Sequence, residues 1–210
     1  MRLADIAFAA LALSSCATAV YDSLDRRGVD ATDILKERIT SVRDNAAAAK
    51  TSLTSARGAL AKIKGLDGPA LANQLDRAKA AGQDASTAAQ QFRLSLDSAR
   101  AAGTRYLSEK NEDLKFLDDT ALQAARVELN NALKEQGAFF SAATGASLRL
   151  SPALTLYANE ISKLRTHPTS SAFAAARTNE IDTAVSSVSD ALTSLNAVTS
   201  SANAAIAATK

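Results

Sequence analysis

The stretch "LKERITSVRDNAAAAKTSLTSARGALAKI", residues 35–63, puts an apolar or small side chain at Leu35, Ile39, Val42, Ala46, Ala49, Leu53, Ala56, Leu60 and Ile63. The steps between them alternate four and three without a break. At 3.6 residues per turn such steps keep every member on one stripe of a helix. A stripe held for four heptads is a coiled-coil seam rather than the face of an ordinary surface helix. Upstream, Asp30-Ala31-Thr32-Asp33 resembles an N-cap with an acidic residue at the third helical position. Downstream, Gly65-Leu66-Asp67-Gly68-Pro69 supplies glycines to end this helix and a proline to open the next.

The seam then repeats through Leu71, Leu75, Ala78, Gly82, Ala85, Ala89, Phe92, Leu96, Ala99, Gly103 and Tyr106. Each of these two helices is expected to be on the order of 50 Å long. Neither can bury its stripe alone, so the five-residue connection folds the second back antiparallel to the first. Alanine and glycine on the seams allow the two backbones to approach closely. Residues 107–118, "LSEKNEDLKFLD", are the most polar stretch and either continue the second helix or form a corner. A third helical region follows through Leu122, Ala125, Leu129, Ala132 or Leu133, and Phe139-Phe140. Gly145 and Ser151-Pro152 are expected to interrupt it, the proline starting a new helix or kinking a continuing one. Helical spacing resumes at Leu154, Tyr157, Ile161 and Leu164. "RTHPTSS", residues 165–171, reads as a turn. The last helix carries Ile181, Ala184, Val188, Ala191, Leu195, Val198, Ala202 and Ala205. The expected fold is all-α, an elongated antiparallel coiled-coil bundle of three to four long helices spanning residues 30–210.

Composition agrees. Alanine is roughly a quarter of the chain, far above ordinary usage, and it is the best helix former. There are 8 glycines, 3 prolines, no tryptophan and 4% aromatic residues. That argues against a β-sandwich, which needs many turns and β-branched or aromatic strands. Twenty-four basic and 22 acidic residues are interspersed, for a net charge of +2. This balance predicts no steering toward nucleic acid and supplies no polybasic patch.

The N-terminus carries an address. Met1-Arg2 precedes an apolar run from Leu3 to Leu13, and Ser14-Ser15 follow. Residues 1–15 thus have the order of a secretory leader, although Arg2 is its one positive charge and Asp5 interrupts the run. The run is too short to span a bilayer, which takes about 20 apolar residues. Leu13-Ser14-Ser15-Cys16 resembles the lipobox of bacterial lipoproteins. That resemblance implies that the Cys16 thiol receives diacylglycerol, that cleavage precedes it, and that its new amino group is acylated. Cys16 is the one cysteine in the chain. Several acyl chains anchor stably where a single chain does not. Residues 16–29 would then be a lipid-anchored tether. Ala17, rather than aspartate, follows the cysteine and resembles an outer-membrane destination with the body facing the periplasm.

Further along, Tyr21-Asp22-Ser23-Leu24, Gly28, Asp33-Ile34-Leu35 and Arg38-Ile39 resemble the opening of a family of bacterial lipoproteins of unknown function, DUF2959. Pro152-Ala153-Leu154, Tyr157, Leu164 and His167 resemble its later part, with Pro168 departing from it. The resemblance implies an exported coiled-coil protein and no established activity.

Candidate chemistry is sparse. His167, the single histidine, lies beside Pro168 and reads as a helix-end residue. One histidine and one cysteine do not make a zinc site. Glu109, Glu112-Asp113 and Asp118-Asp119 read as caps and dipole partners. Phe92 and Phe139-Phe140 read as core, with Phe140 a partner-surface candidate if exposed. No phosphate-binding, dinucleotide-binding or nucleophile-elbow motif occurs. The expectation is a non-enzymatic structural or interaction module of the cell envelope without a cofactor. It would contact the membrane through its acyl anchor and an envelope protein, the peptidoglycan layer or its own copies beyond it. The alternative is a membrane-shaping module lying flat on the bilayer, which would need a basic face along the rod.

Overall fold

The computed structural model describes residues 30–210. The leader over 1–15 and the tether over 16–29, Cys16 included, lie outside the described residues. Four long helices make the body: α1 (Ala31–Ala61), α2 (Gly68–Asp113), α3 (Asp119–Leu164) and α5 (Thr178–Ala208). A single 3₁₀ turn, Leu114–Phe116, joins α2 to α3, and a short helix α4 (Ser171–Ala176) precedes α5. There is no strand among the described residues.

The caps form as the residue types dictate. Asp30 accepts from the Thr32 N–H at 2.7 Å, and that bond is the main reason its carboxyl lies below the usual range. Asp118 accepts from the Ala121 N–H at 2.9 Å, so one of the carboxylate pairs caps α3. Gly65 and Gly68 have positive φ, the conformation that glycine enters without a Cβ penalty. Pro69 stands in the first turn of α2.

α1 packs along α2 and α5, and α3 along the same two helices. The long helices therefore close a ring in the order α1, α2, α3, α5. Every neighbour is antiparallel, as paired contacts show. Arg43 reaches Asn203 and Arg57 reaches Ser189 between α1 and α5. Gln74 donates to the Ala59 carbonyl between α2 and α1. All nine seam positions read from residues 35–63 are buried, as are all eight named on α5. On α2 every named seam residue is buried except the two glycines. Each fully buried Leu, Ile or Phe is worth about 1.5–3 kcal/mol over its exposed form. The alanines between them are buried in the same core.

At Pro152 α3 takes the second of the two expected alternatives, a continuing helix. It runs unbroken through Gly145 and Pro152. Proline removes the hydrogen bond to the carbonyl four residues back, here that of Leu148. Leu148 is 72% exposed and Pro152 is exposed as well, so the lost bond falls on the wet side of the helix. Residues 107–118 do both of the things expected of them. α2 continues to Asp113, then turns.

The region after α3 holds a break that spacing did not reveal. α4 and α5 are separated at Arg177. Arg177 Nε and Nη2 donate to the two carboxylate oxygens of Glu160 at 2.6 and 2.5 Å. Glu160 is buried on α3. A buried carboxylate persists when it is paired this way, and the pair ties the α4–α5 joint to α3. At the same end, Gly68 N–H donates to the Thr169 carbonyl at 3.1 Å, linking the two loops. At the other end, Gln136 donates to the Thr209 hydroxyl at 3.0 Å and Tyr106 to the Lys210 carbonyl at 3.4 Å, holding down the last residues.

Candidate interaction surfaces

Two surfaces stand out from the regular body. The first is the seam between α2 and α3. Along it the bundle opens into a row of hollows. In two of them a glycine on α2 faces a ring on α3. A Cβ on Gly82 would stand 2.6 Å from Tyr157 Cε1, and one on Gly103 would stand 3.3 Å from Phe140 Cε2. Gly82 thus serves the α3 ring alone, while Gly103 faces Phe140 on α3 and, at 3.9 Å, Leu35 on α1. The Tyr157 hydroxyl donates to the Ala78 carbonyl at 2.7 Å, and burial drives its pKa far above the ordinary phenol value. Tyr157 is thereby held in place and keeps its proton at neutral pH.

The widest hollow with a ring of this kind is about 570 Å³. It is lined by Gly82, Tyr157, Ala158 and Ile161, with Lys79, Gln83, Ser86, Thr87, Ser162 and Arg165 around them. A second hollow follows, sharing Ser86 and Ala158 and adding Arg93 and Leu154. Across the four hollows of this seam the lining holds Lys79, Arg93, Arg100, Lys115, Arg126 and Arg165 and no carboxylate. Three of these cations lean on acids just outside: Arg165 on Asp76, Arg100 on Asp97 and Lys115 on Glu112. Lys79, Arg93 and Arg126 make no ion pair among the described residues.

The second surface is the free end of α2 and α3. α2 runs about two turns past Tyr106, the last buried residue on it. From residue 107 to residue 131 nothing is buried. Leu107, Leu114, Leu122 and Leu129 face each other half-buried, but two helices cannot enclose a core as four do. Phe116 is 85% exposed, and Leu117 and Val127 are exposed as well. Around them lie Glu109, Glu112, Asp113, Asp118, Asp119 and Glu128 against Lys110, Lys115 and Arg126. Asp113 and Asp119 flank the turn without an ion pair among the described residues.

The other candidates take structural places. The His167 ring packs on Phe173 with centroids 4.4 Å apart, and its Nδ1 lies 2.9 Å from the Thr166 hydroxyl. Its backbone N–H, not its ring, meets the Leu164 carbonyl at 3.2 Å. Glu109 pairs with Arg105 at 2.7 Å. Phe92 and Phe139 are core. Phe140 is half-buried against Phe139 and Gly103. Among the described residues no group of three or more His, Cys, Asp or Glu could hold a metal ion, and no helix is long and apolar enough to cross a membrane. Neither surface could be found from one helix's periodicity, because each depends on residues brought together from α2 and α3. The run Phe116-Leu117 inside the most polar stretch was the one local signal.

A family model described as a protein of unknown function (DUF2959) matches residues 20–209 of the chain. No curated protein matches it.

Proposed function

The chain belongs to the DUF2959 family of proteins of unknown function, and from that premise we propose that it is a lipid-anchored, non-enzymatic interaction module of the cell envelope. The observation that carries this reading is the lipobox-like Leu13-Ser14-Ser15-Cys16 followed, about fourteen residues later, by the capped start of a helical rod. Fourteen extended residues reach at most about 50 Å. The anchor would be acyl chains on Cys16, in the outer membrane with the rod facing the periplasm. The mechanism is geometric: the anchor confines the rod to a surface, and α2 and α3 present hollows and an apolar end to a partner. An envelope protein, the peptidoglycan layer and further copies of the chain are the partners within reach.

A second reading, a membrane-shaping module lying flat, gains one observation: the α2–α3 seam is lined by cations without carboxylates. Acids just outside pair with three of the six. Each uncompensated Lys or Arg near an anionic bilayer is worth about 1 kcal/mol, and three spread along a long rod favour a local contact over a flat one.

The test is fractionation of the wild type beside Cys16→Ser in a lipoprotein-competent bacterium. The wild type should pellet with membranes and stay there at high salt, while the variant loses that behaviour. Equal partition of the two would overturn the anchor.

A further inference from the structure

We propose that the apolar end of one copy, the turn carrying Phe116 and Leu117, docks into the hollow of a second copy between Lys79 and Arg93. The two surfaces are complementary in what they lack. The turn exposes a phenylalanine at 85%, and the carboxylates beside it, Asp113 and Asp119, make no ion pair among the described residues. The hollow is lined by Gly82 and Tyr157 with Ala158 at its exposed edge, and its flanking cations, Lys79 and Arg93, make no ion pair among the described residues. Residues 107–131 hold six acidic and three basic residues, a net −3, and the hollows' lining carries charge of the opposite sign. An exposed Phe-Leu pair followed directly by Asp118-Asp119 is a poor bilayer wedge, since charged carboxylates resist leaving water. It suits a pocket with an apolar base and a basic rim.

The hollow is also held ready. Tyr157 is fixed by its hydrogen bond to the Ala78 carbonyl, and its ring is seated against Gly82, where a Cβ would stand 2.6 Å from it. Gly82 in the hollow and the turn after Asp113 are roughly thirty residues apart along α2, on the order of 45 Å, so one chain cannot fill its own site. The contact is heterologous: each added copy leaves one turn and one hollow free, and association is open-ended. A plug of two side chains is small beside a standard interface, so the affinity in solution is weak. Confinement of the chains to one surface would raise it through effective concentration. The inference goes beyond the envelope reading and does not depend on the anchor.

Site-specific disulfide cross-linking tests it in the full chain carrying Cys16→Ser, so that introduced thiols are the only ones. Leu117 and Ala158 are exposed, so Leu117→Cys and Ala158→Cys leave the core intact; Leu117→Cys gives up one side chain of the plug and keeps Phe116, the more exposed one. Under a mild oxidant, a mixture of the two single variants should give at least tenfold more heterodimer than Leu117→Cys mixed with the control Leu148→Cys, also on the exposed surface of α3. The double variant Leu117→Cys/Ala158→Cys should give a ladder of dimers, trimers and higher species. Adding Lys79→Glu/Arg93→Glu should cut the yield about tenfold, and Asp113→Lys/Asp119→Lys on the partner should restore it. Equal yields at Ala158 and Leu148, no cross-link at either, or a yield indifferent to the charge reversals would overturn the proposal. A yield confined to the Ala158 pair with charge-swap rescue establishes it. Partition of the wild type and Cys16→Ser is read separately, so failure of the anchor and failure of the docking give different results.

Discussion

The four-helix body and the two-helix end are made from the same helices and the same leucine-rich spacing, yet one has a core and the other has none. Up to Tyr106 each stripe on α2 meets stripes from two neighbours and is buried. Seven residues later neither α1 nor α5 runs alongside among the described residues, and Leu114, Leu122 and Leu129 face one another with only the tail end of the chain, Ala208 and Lys210, beside them. The difference is the number of helices, not the quality of the pattern. A heptad specifies which side chains share a face; it does not specify how many partners that face will find. An apolar face without partners is a surface waiting for one.

The largest effect that can break this comparison is truncation of an aromatic ring in each region. Phe92→Ala in the body should cost about 3–5 kcal/mol through lost burial and the cavity left behind. Thermal unfolding should then fall on the order of 10 °C for a chain of this size. Phe116→Ala at the free end should stay within about 0.5 kcal/mol of the wild type. A comparable loss at Phe116 would mean that the end has a core after all.

A second contrast sharpens the account of the α2–α3 seam. Gly82→Ala would press a Cβ to 2.6 Å from the Tyr157 ring, whose hydroxyl is already tied to Ala78. Overpacking of this kind costs about 1–3 kcal/mol, more than alanine's helical advantage returns. Gly137→Ala on α3 meets nothing within 4 Å and should gain about 0.5–1 kcal/mol. Denaturant melts of both variants check the pair. If the two shift in the same direction, the glycine on α2 is not there for the ring.

The smallest effect is read in pH. The folded state raises the Tyr157 pKa above its ordinary value of 10.0 through burial. Protonated Tyr157 therefore adds stability that is fully present below about pH 10 and is lost as pH rises above it, because the unfolded chain gives up the proton first. Tyr157→Phe should start slightly less stable near neutrality, having lost the bond to Ala78, and should lose less between pH 9 and 11, a range set by that ordinary value. Parallel alkaline losses in both proteins would assign the effect to other groups.

Much of the body was legible in the sequence. The seams of α1 and α5 were read residue by residue, and the capping by Asp30 and the breaks at Gly65 and Pro69 follow from backbone chemistry alone. α3 was harder, because Gly145 and Pro152 are local signals to stop. A helix packed on two neighbours tolerates them when the lost hydrogen bond faces water. Ala143, Ala146, Leu150 and Ala153 bridge that stretch as buried residues. The break at Arg177 was not legible because its cause, Glu160, lies on another helix. The hollow between Lys79 and Arg93 was hidden for the same reason. Its floor comes from Gly82 on α2 and Tyr157 on α3, residues far apart in the chain. The glycines were visible as seam positions, but which helix they serve was not.

The account's central claim is that this rod is held to a membrane surface by acyl chains on Cys16, and intact mass of the chain recovered from cell envelopes tests it most directly. The predicted result is a chain that begins at Cys16 and carries the added mass of diacylglycerol and an amide-linked acyl group, with Cys16→Ser carrying neither. A chain that retains residues 1–15, or that is cut elsewhere without acyl mass, would contradict it.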